Sequence, residues 1–597
     1  MKTLRVALAL VPFVLAGVGS PAQGAEPRNP SRITTLATRV VDRPGAGEFH
    51  RLRVAGGEPR IVRDGAFGDL GSPGRVQRRR SLLYFAHLTD AQVADEESPA
   101  RVESLDRLDS GIFRVAWRPQ EAFAPFLLDA ANRRVRQLRR SPSVSSGGAR
   151  ARMSLLATTG DMIDSKQRNE LVWLRNLLEG RRVEPDSGKD GQQGCSAAAD
   201  TDGSGYSGVQ DHDDPPADPH FYDPADLRGA WDEAGWPAYP GLMERAQRPF
   251  RATGPGVPSY LLFANHETLV QGETAAIRQF EDLVTGCLKP RGFDAVSHVM
   301  SGGDPAGLAD FDDVMRVEPD LGRRFVDKAQ FQAVLAEGRQ RDAHGFGLVD
   351  PGERRASRGT AGYYTWTPRP GVRMVALDVA PEGASVGNGG AGNIDDPQWR
   401  WLRRVLSGAD RRRELVIVLS GSRLDGLDGT RPDEAAPPCV GTLRFGHDLD
   451  PGCDLDSRLS SPLHGGEELR ALLLRHPAVV AYLTGGEHRA VPVRSANEKR
   501  GFWAITTAGF AEYPHQGRVL ELMDNRDGTL SIVGTVFDIA APVVAAAPGT
   551  KARKLDPAGV AAVARTISRN DPQADLEWYL GKPQDRNVEL LLPDPRR

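Results

Sequence analysis

Two adjacent residues, Asn265 and His266, give the first chemical signal in this sequence. They stand just after Tyr260–Phe263, an apolar run that is typical of a buried strand. In open α/β sheets, ligands bind just beyond the carboxyl ends of strands. The carbonyl oxygen of Asn265 suits a hard cation, and His266 offers a proton donor beside it. A turn that contains a hydrogen-bonded histidine is the alternative interpretation of this pair.

Three other predicted strands end in residues of the same kinds. They are Leu82–Leu88, followed by Asp90 and Gln92; Met153–Ala157, followed by Asp161; and Val479–Leu483, followed by His488. Carboxylate, amide and imidazole ligands suit Mn, Fe, Zn or Mg better than a thiolate-preferring metal. Two metals about 4 Å apart would clamp a phosphoryl group and lower the pKa of a bound water, and Asp161 on its Gly-Asp turn could bridge them. Capping of the following helix is the alternative role for Asp161.

The elements that must position these residues alternate between strand and helix. Helices are predicted at about 120–140, 167–179, 273–285, 327–338, Asp396–Leu406 and Glu467–Arg475. Further strands are predicted at Gly362–Thr367, Val372–Asp378, Leu415–Leu419, Phe502–Thr506, Val519–Met523 and Leu530–Phe537, with a hairpin turn at 525–528. This order predicts a layered α/β fold with a mixed sheet or two packed sheets.

The N-terminus has the pattern of a secretory signal peptide over residues 1–25. Lys2 and Arg5 precede the apolar run Val6–Val18, and small residues follow at Ala22–Ala25. An uncleaved anchor is the alternative. No later run reaches about 18 apolar residues, so no transmembrane segment is expected after the signal peptide. We therefore expect an exported protein that is extracellular, periplasmic or on the cell surface.

Charge and cysteine content narrow the class of protein further. The net charge of −3 carries no basic excess that would indicate nucleic-acid binding. An even count of four cysteines in an exported chain predicts two disulfides. The favoured pairing is Cys439–Cys453 with Cys195–Cys287, and the other pairings stay open. A zinc site is the alternative, although no C-x-x-C spacing supports it.

Composition divides the chain after the signal peptide into three regions. Residues 26–80 are predicted to form a small accessory β region, 81–545 the main domain, and 546–597 a C-terminal extension. The main domain contains polar, Gly/Pro-rich insertions at about 180–258 and 425–463. The first insertion is expected to border a substrate cleft, because an unstructured loop of that length is unusual inside a compact domain. A disordered surface loop is the alternative.

Taken in order, four motifs resemble those of the calcineurin-like metallophosphoesterases. They are Thr-Asp-x-Gln at 89–92, Gly-Asp-x-x-Asp at 160–164, Asn-His-Glu at 265–267 and Gly-x-x-His at 485–488. The local sequences, such as LTDAQVADEESPARVE and TGDMIDSKQRNE, are similar to those of a bacterial exported branch of this family that has Gln in the first motif. Over roughly residues 80–540, the resemblance implies a four-layer α/β-β/α sandwich with two mixed sheets.

The resemblance also implies a role for each residue. Asp90, Gln92, Asp161 and His488 would hold a first divalent metal, and Asp161 and Asn265 a second. His266 would contact the substrate phosphate as a general acid or charge stabiliser. Asp164 would fix a neighbouring loop or ligand.

The second metal set departs from the family pattern. Two histidines that usually complete it fall on Gly421 and Gly486, and the usual Gly before Asn265 is Ala264. Possible substitutes by sequence neighbourhood are Glu487, Asp425, His447 and His464. Arg423 is a candidate to bind a phosphate oxygen, or else a surface arginine.

These features together predict an exported metal-dependent phosphoesterase. It would hydrolyse a phosphate mono- or diester, such as a phosphorylated small molecule, with one or two divalent ions and a weakened second site. The alternative is a non-catalytic phosphate-ligand or cell-surface binding protein on a degenerate fold of the same type.

Overall fold

The computed structural model of the chain describes residues 29–43, 49–108, 116–188, 206–212, 218–273, 275–382, 392–428 and 463–597. The strands within these ranges are β1 Thr38–Arg43, β2 Arg51–Gly56, β3 Ile61–Arg63, β4 Arg80–Leu88, β5 Leu156–Thr158, β6 Arg182–Val183, β7 Phe250–Arg251, β8 Ser259–Tyr260, β9 Leu288–Pro290, β10 Val314–Arg316, β11 Tyr364–Arg369, β12 Val372–Ala376, β13 Leu415–Leu419, β14 Val479–Gly486, β15 Arg489–Arg494, β16 Gly501–Ala508, β17 Gln516–Asp524, β18 Thr529–Asp538 and β19 Val588–Pro593.

The α-helices complete the described secondary structure. They are α1 Arg75–Arg78, α2 Ala124–Gln137, α3 Arg168–Glu179, α4 Ala230–Glu233, α5 Leu242–Gln247, α6 Asn265–Thr268, α7 Arg278–Val284, α8 Phe293–Met300, α9 Lys328–Ala336, α10 Pro351–Ala356, α11 Asp396–Arg412, α12 Gly466–Arg475, α13 Pro557–Arg569, α14 Leu576–Leu580 and α15 Pro583–Arg586.

Two large mixed sheets organise the chain. The seven-stranded sheet has the order β3-β19-β18-β17-β4-β5-β8, and the six-stranded sheet has the order β11-β12-β13-β14-β16-β15. Strands β4, β5 and β8 run parallel to one another. Strands β12, β13, β14 and β16 are likewise parallel. The carboxyl ends of each parallel set therefore meet at one edge of their sheet.

The loops that follow the two parallel sets touch. A Cβ placed on Gly485, in β14 of the six-stranded sheet, would lie 2.6 Å from Oδ2 of Asp90, which follows β4 of the seven-stranded sheet. A Cβ on Gly421, after β13, would lie 2.7 Å from the Cβ of Ala264, after β8. The sequence-predicted strand ends from both sheets are thus gathered in one region.

Helices and one shared core hold the sheets together. Helix α2 packs on β18 and on α13, and α11 packs on β13. A single cluster of buried apolar side chains includes residues of both sheets. The predicted α/β class with mixed sheets agrees with this arrangement, while the specific four-layer order stays a prediction.

Several elements follow directly from local sequence. The Leu-Val-Ile-Val-Leu run of β13 is buried along its whole length, as expected for an internal parallel strand. Helix α11 begins after Asp395, whose side chain accepts a hydrogen bond from the amide of Gln398. Its N-terminus and the bounds of β13 agree with the sequence prediction.

One predicted strand is wrong in extent. The sequence predicts an extended run over Tyr260–Phe263, but β8 ends at Tyr260. The amide of Leu261 donates to the carbonyl oxygen of His344, and its own carbonyl oxygen accepts from the hydroxyl of Tyr364. Backbone groups that could have continued the ladder are therefore satisfied by other partners.

The two regions that flank the main domain also contribute to the large sheet. Strand β3 comes from region 26–80 and β19 from region 546–597, and the two pair in parallel within the seven-stranded sheet. The predicted domain boundaries themselves stay a prediction.

Several sequence predictions fall outside the described residues. The signal peptide, Cys195, Cys439, Cys453 and most of the 425–463 insertion are among them. Cys287 is described and is not a free thiol, but the predicted pairings stay predictions. Among the helices of the described residues, none is both long enough and apolar enough to span a membrane.

Candidate functional site

The loops after β4 and β5 place two carboxyl groups together. Asp90 and Gln92 have left-handed backbone angles, with φ of 50° and 41°, and Asp161 has φ of 54°. The amide of Asp90 donates to the carbonyl oxygen of Gly160 (3.0 Å), and that of Gln92 to the carbonyl oxygen of Asp161 (2.9 Å). The loops thus remain paired beyond the strands. Unusual backbone angles of this kind are concentrated at functional sites.

The carboxyl groups of Asp90 and Asp161 lie close enough for each to affect the pKa of the other. Burial raises the pKa of Asp161 to about 6, against the opposing effect of His266. Burial and the neighbouring Asp161 together raise the pKa of Asp90 well above its ordinary value. Two buried carboxyl groups at this separation disfavour simultaneous ionisation unless a cation lies beside them.

His266 lies in the first turn of the short helix α6 and joins the same cluster. Its amide donates to Oδ1 of Asp161 (2.9 Å), and its Nδ1 lies 2.8 Å from the carbonyl oxygen of Asp164. Its Nε2 lies 3.1 Å from Nε2 of Gln92. Although burial opposes protonation, Asp161 and Asp164 raise the pKa of His266 to about 10. Asp161, which precedes α3 by several residues, is not the N-cap of that helix.

Glu267 fixes the backbone around this cluster, a role that the sequence did not reveal. Its carboxylate accepts from the amides of Asp161 (2.8 Å), Met162 (2.7 Å) and Ala264 (3.0 Å). One buried carboxylate therefore ties the loop after β5 to the start of α6. The Glu that directly follows Asn-His was the available signal for it.

Asp164 is held by a buried guanidinium. Nη1 of Arg101 donates to Oδ2 of Asp164 at 2.5 Å, and the same guanidinium also pairs with Glu103 (2.9 Å) and Glu121 (2.5 Å). Arg101 and Asp164 are 1% and 3% exposed, so solvent does not screen the pair. This geometry agrees with the positioning role predicted for Asp164, which stays a prediction, and adds Arg101 to it.

The structure gives His488 a different set of contacts. Its Nδ1 accepts from the amide of Ala508 (3.3 Å) and lies 3.1 Å from Nη2 of Arg518. Its Nε2 is buried without a hydrogen-bond partner. Burial, with Arg518 and Arg586 nearby, lowers the pKa of His488 well below its ordinary value. The described contacts of His488 do not bring it together with Asp90 or Gln92, so its role as a ligand stays a prediction.

Asn265 lies next to His266, and a backbone contact holds its side-chain amide. Its Nδ2 donates to the carbonyl oxygen of Gly272 at 2.9 Å, which fixes the orientation of the amide. A Cβ on Gly272 would lie 2.5 Å from Nε2 of His266, so the glycine leaves space for both side chains. Metal ligation by Asn265 stays a prediction.

The two positions that would normally carry further histidines are tightly enclosed. A Cβ on Gly421 would lie 2.8 Å from the carbonyl oxygen of Phe263. Gly486 has φ of +122°, and a Cβ there would lie 3.2 Å from the ring of Trp578. The C-terminal helix α14, which carries Trp578, thus lies against the second of these positions.

The substitutes considered from sequence have other partners. Arg423 pairs with Asp425 (2.9 Å) and Glu487 (3.5 Å). His464 pairs with Asp396 (3.0 Å) and Glu468 (2.8 Å). His447 lies outside the described residues.

The oxygen donors of the cluster fit one hard divalent cation. Oδ2 of Asp90 and Oε1 of Gln92 are buried and accept no hydrogen bond. A cation beside them would satisfy both atoms and neutralise the carboxyl pair. It would also offset the negative charge of Asp161, a principal cause of the raised pKa of His266.

The residues that the structure describes do not assemble a full two-metal set. Within the described ranges, no three His, Cys, Asp or Glu side chains are grouped so that they could hold a metal ion. The oxygen set therefore depends on the amide of Gln92 in addition to the two carboxylates.

A small cavity beside Gln92 brings in another residue that the sequence did not indicate. Gln92, Asp164 and Arg118 all line it. Arg118 is 6% exposed and forms an ion pair with Glu512. The cavity therefore places a buried guanidinium, paired with Glu512, beside Gln92 and Asp164.

No family model and no curated protein matches this chain. Among solved structures, the crystal structure of a dimetal phosphatase from Danio rerio is similar, with a TM-score of 0.33 and 14% identity over 77% of this chain and 100% of that chain. At this TM-score the likeness assigns no residue role and no activity to the chain.

Proposed function

We propose that this protein is an exported metal-dependent phosphoesterase of the calcineurin-like type, with one principal cation site. The single observation that carries the proposal is the buried pair Asp90–Asp161 with the unpartnered oxygens of Asp90 and Gln92. The motif order along the sequence supports the same class. The substrate would be a phosphate mono- or diester.

Asp90, Gln92 and Asp161 would hold the cation. When bound, it supplies Lewis acidity towards a phosphoryl group and towards water. His266 presents Nε2 beside Gln92 while the carbonyl oxygen of Asp164 fixes its Nδ1 proton. His266 would therefore contact the phosphate and move a proton at Nε2. Arg118 would add positive charge for the phosphoryl oxygens.

A second candidate function follows from the enclosed glycines. Glycine has no side chain, so Gly421 and Gly486 cannot supply a side-chain metal ligand. The described residues that were considered as substitute ligands form ion pairs with other side chains. A protein that keeps one cation could bind a phosphate-containing ligand without turning it over. The same experiment separates this non-catalytic function from hydrolysis.

The test combines metal binding with turnover. The purified full chain would be stripped with chelator, reloaded with Mn²⁺, Mg²⁺ or Zn²⁺, and assayed with p-nitrophenyl phosphate and bis(p-nitrophenyl) phosphate. We expect cation-dependent hydrolysis that falls in Asp161→Asn by at least about 10–100-fold, the loss typical of removing an outer partner of a metal ligand. Asp294→Asn, an exposed aspartate on α8, is the matched control and should keep the activity.

Three outcomes are informative. Hydrolysis that is lost in Asp161→Asn alone supports the enzyme. Binding of a cation and inorganic phosphate without turnover supports the non-catalytic function. Absence of any cation binding by calorimetry would contradict both.

A further inference from the structure

A second polar cavity lies apart from the carboxyl cluster. Its volume is about 710 Å³, within the range of small-molecule pockets. Residues that are far apart in the sequence supply its wall. They are His50, Asp106 and Trp117, together with residues between 219 and 236 of the first insertion and residues 569–573 at the end of α13 and after it. No residue role assigned above uses this cavity.

One side of the cavity is aromatic. Trp117, Trp231 and Trp236 line it, and the rings of Trp231 and Trp236 pack edge to face at 4.5 Å. The indole N–H of Trp231 donates to the carbonyl oxygen of His220 (3.2 Å), and that of Trp117 to Oε1 of Glu96 (3.3 Å). Because these two indole N–H groups already donate to protein acceptors, the rings of Trp117 and Trp231 present apolar surface to a ligand.

The wall also contains a buried acceptor. Asp106 is 2% exposed, and its Oδ2 lies 2.9 Å from Nε2 of His220 and accepts from Nε2 of Gln573 at 2.8 Å. Its Oδ1 is buried and accepts no hydrogen bond. A buried carboxylate oxygen without a donor costs free energy, so this atom favours a ligand that carries an O–H or N–H group.

Acidic and basic groups both lie in the cavity wall. Asp106, Glu233 and Asp571 contribute carboxyl groups, while Arg569 and the imidazole of His50 lie in the same wall. Basic and acidic groups are thus mixed. A tetraalkylammonium ion would suit the indoles but would leave Oδ1 of Asp106 without a donor.

We propose that this cavity binds a neutral hydroxyl-bearing ring, such as a sugar or cyclitol. The apolar face of the ring would pack against the indoles, and a hydroxyl group would donate to Oδ1 of Asp106. The proposal does not depend on hydrolysis at the carboxyl cluster.

The test is a binding measurement on the purified full chain. Tryptophan fluorescence would be titrated with glucose, galactose, N-acetylglucosamine and myo-inositol, and tetramethylammonium would serve as the competing chemistry. We expect saturable binding of at least one sugar or cyclitol, weakened about tenfold or more in Asp106→Asn because one charge-assisted hydrogen bond is lost. Asp232→Asn, exposed on α4 and outside the cavity wall, should bind as the wild type does.

A measurement on the unmodified protein covers the case in which Asp106→Asn does not fold. Saturation-transfer NMR should show magnetisation passing from the protein to the C–H protons of the bound ring. The proposal is overturned if no sugar or cyclitol saturates, if Asp106→Asn folds and binds unchanged, or if tetramethylammonium alone binds.

Discussion

Arg101 donates through Nη1 to Oδ2 of Asp164 at 2.5 Å, in surroundings where both side chains are almost completely buried. The same guanidinium holds Glu103 and Glu121. The carbonyl oxygen of Asp164 contacts Nδ1 of His266, so the ion pair between Arg101 and Asp164 helps to fix the position of His266.

Replacing Arg101 should strongly destabilise the fold. Arg101→Met would leave three buried carboxylates without their common partner, and we expect the free energy of unfolding to fall by about 3–5 kcal/mol. Urea denaturation measures this change in the free energy of unfolding. Arg278→Met is the control, because the Arg278–Asp282 pair is 71% and 56% exposed. A loss no larger in Arg101→Met than in the control would contradict the prediction.

Asp90→Asn should separate stability from cation binding. In chelator, removing one of two adjacent buried carboxyl groups relieves their repulsion, so the melting temperature should stay the same or rise. A cation at about 100 times its Kd should stabilise the wild type by about 2.7 kcal/mol. Asp90→Asn should lose that gain. Thermal melts with and without Mn²⁺ measure both effects, and equal stabilisation of wild type and variant would count against the site.

Gly421→His should not rebuild a second metal site. The new Cβ would lie 2.7 Å from the Cβ of Ala264 and 2.8 Å from a backbone oxygen. Overpacking of this kind costs about 1–3 kcal/mol. Gly65→His is the control, because nothing lies within 4 Å of a Cβ there. Thermal melting and metal analysis would be compared, and a stable Gly421→His protein with an additional bound metal would refute the prediction.

Acid should destabilise the protein through neutral buried histidines. Burial lowers the pKa of His515 to about 3, and burial together with Arg518 lowers that of His87 to about 3. In the unfolded chain these histidines become protonated below about pH 6.5, so their contribution to the stability of the folded protein is fully present above that pH. It should fall by about 1.4 kcal/mol per pH unit per histidine as the pH drops towards 3.

His515→Asn isolates one of these groups. His515 has φ of 55°, a backbone conformation that Asn tolerates. Urea denaturation between pH 7.5 and 4.5 should show a pH slope that is smaller by one proton in the variant. Identical slopes would mean that His515 is already protonated in the folded protein.

Local elements could be predicted because their causes are local. The apolar run of β13 forms the strand itself, and Asp395, the cap of α11, lies directly before the helix. The end of β8 was missed because His344 and Tyr364, far along the chain, satisfy the backbone of Leu261.

In the candidate site, too, some contacts could be predicted from the sequence and others could not. Asp90, Gln92, Asp161 and His266 follow predicted strands, and the parallel pairing of β4, β5 and β8 brings them together. The contacts of His488 with Arg518 depend on β17, which pairs with β4 across a long sequence separation. Motif spacing contains no information about such pairing.

The pairing of β3 with β19 has a consequence for biosynthesis. These strands come from distant parts of the chain, and β19 lies between β3 and β18 in the sheet. During translation, β3 and β18 must wait until residues 588–593 have left the ribosome before that part of the sheet can close. A product that stops before β19 would leave two strand edges open, and open edges promote aggregation.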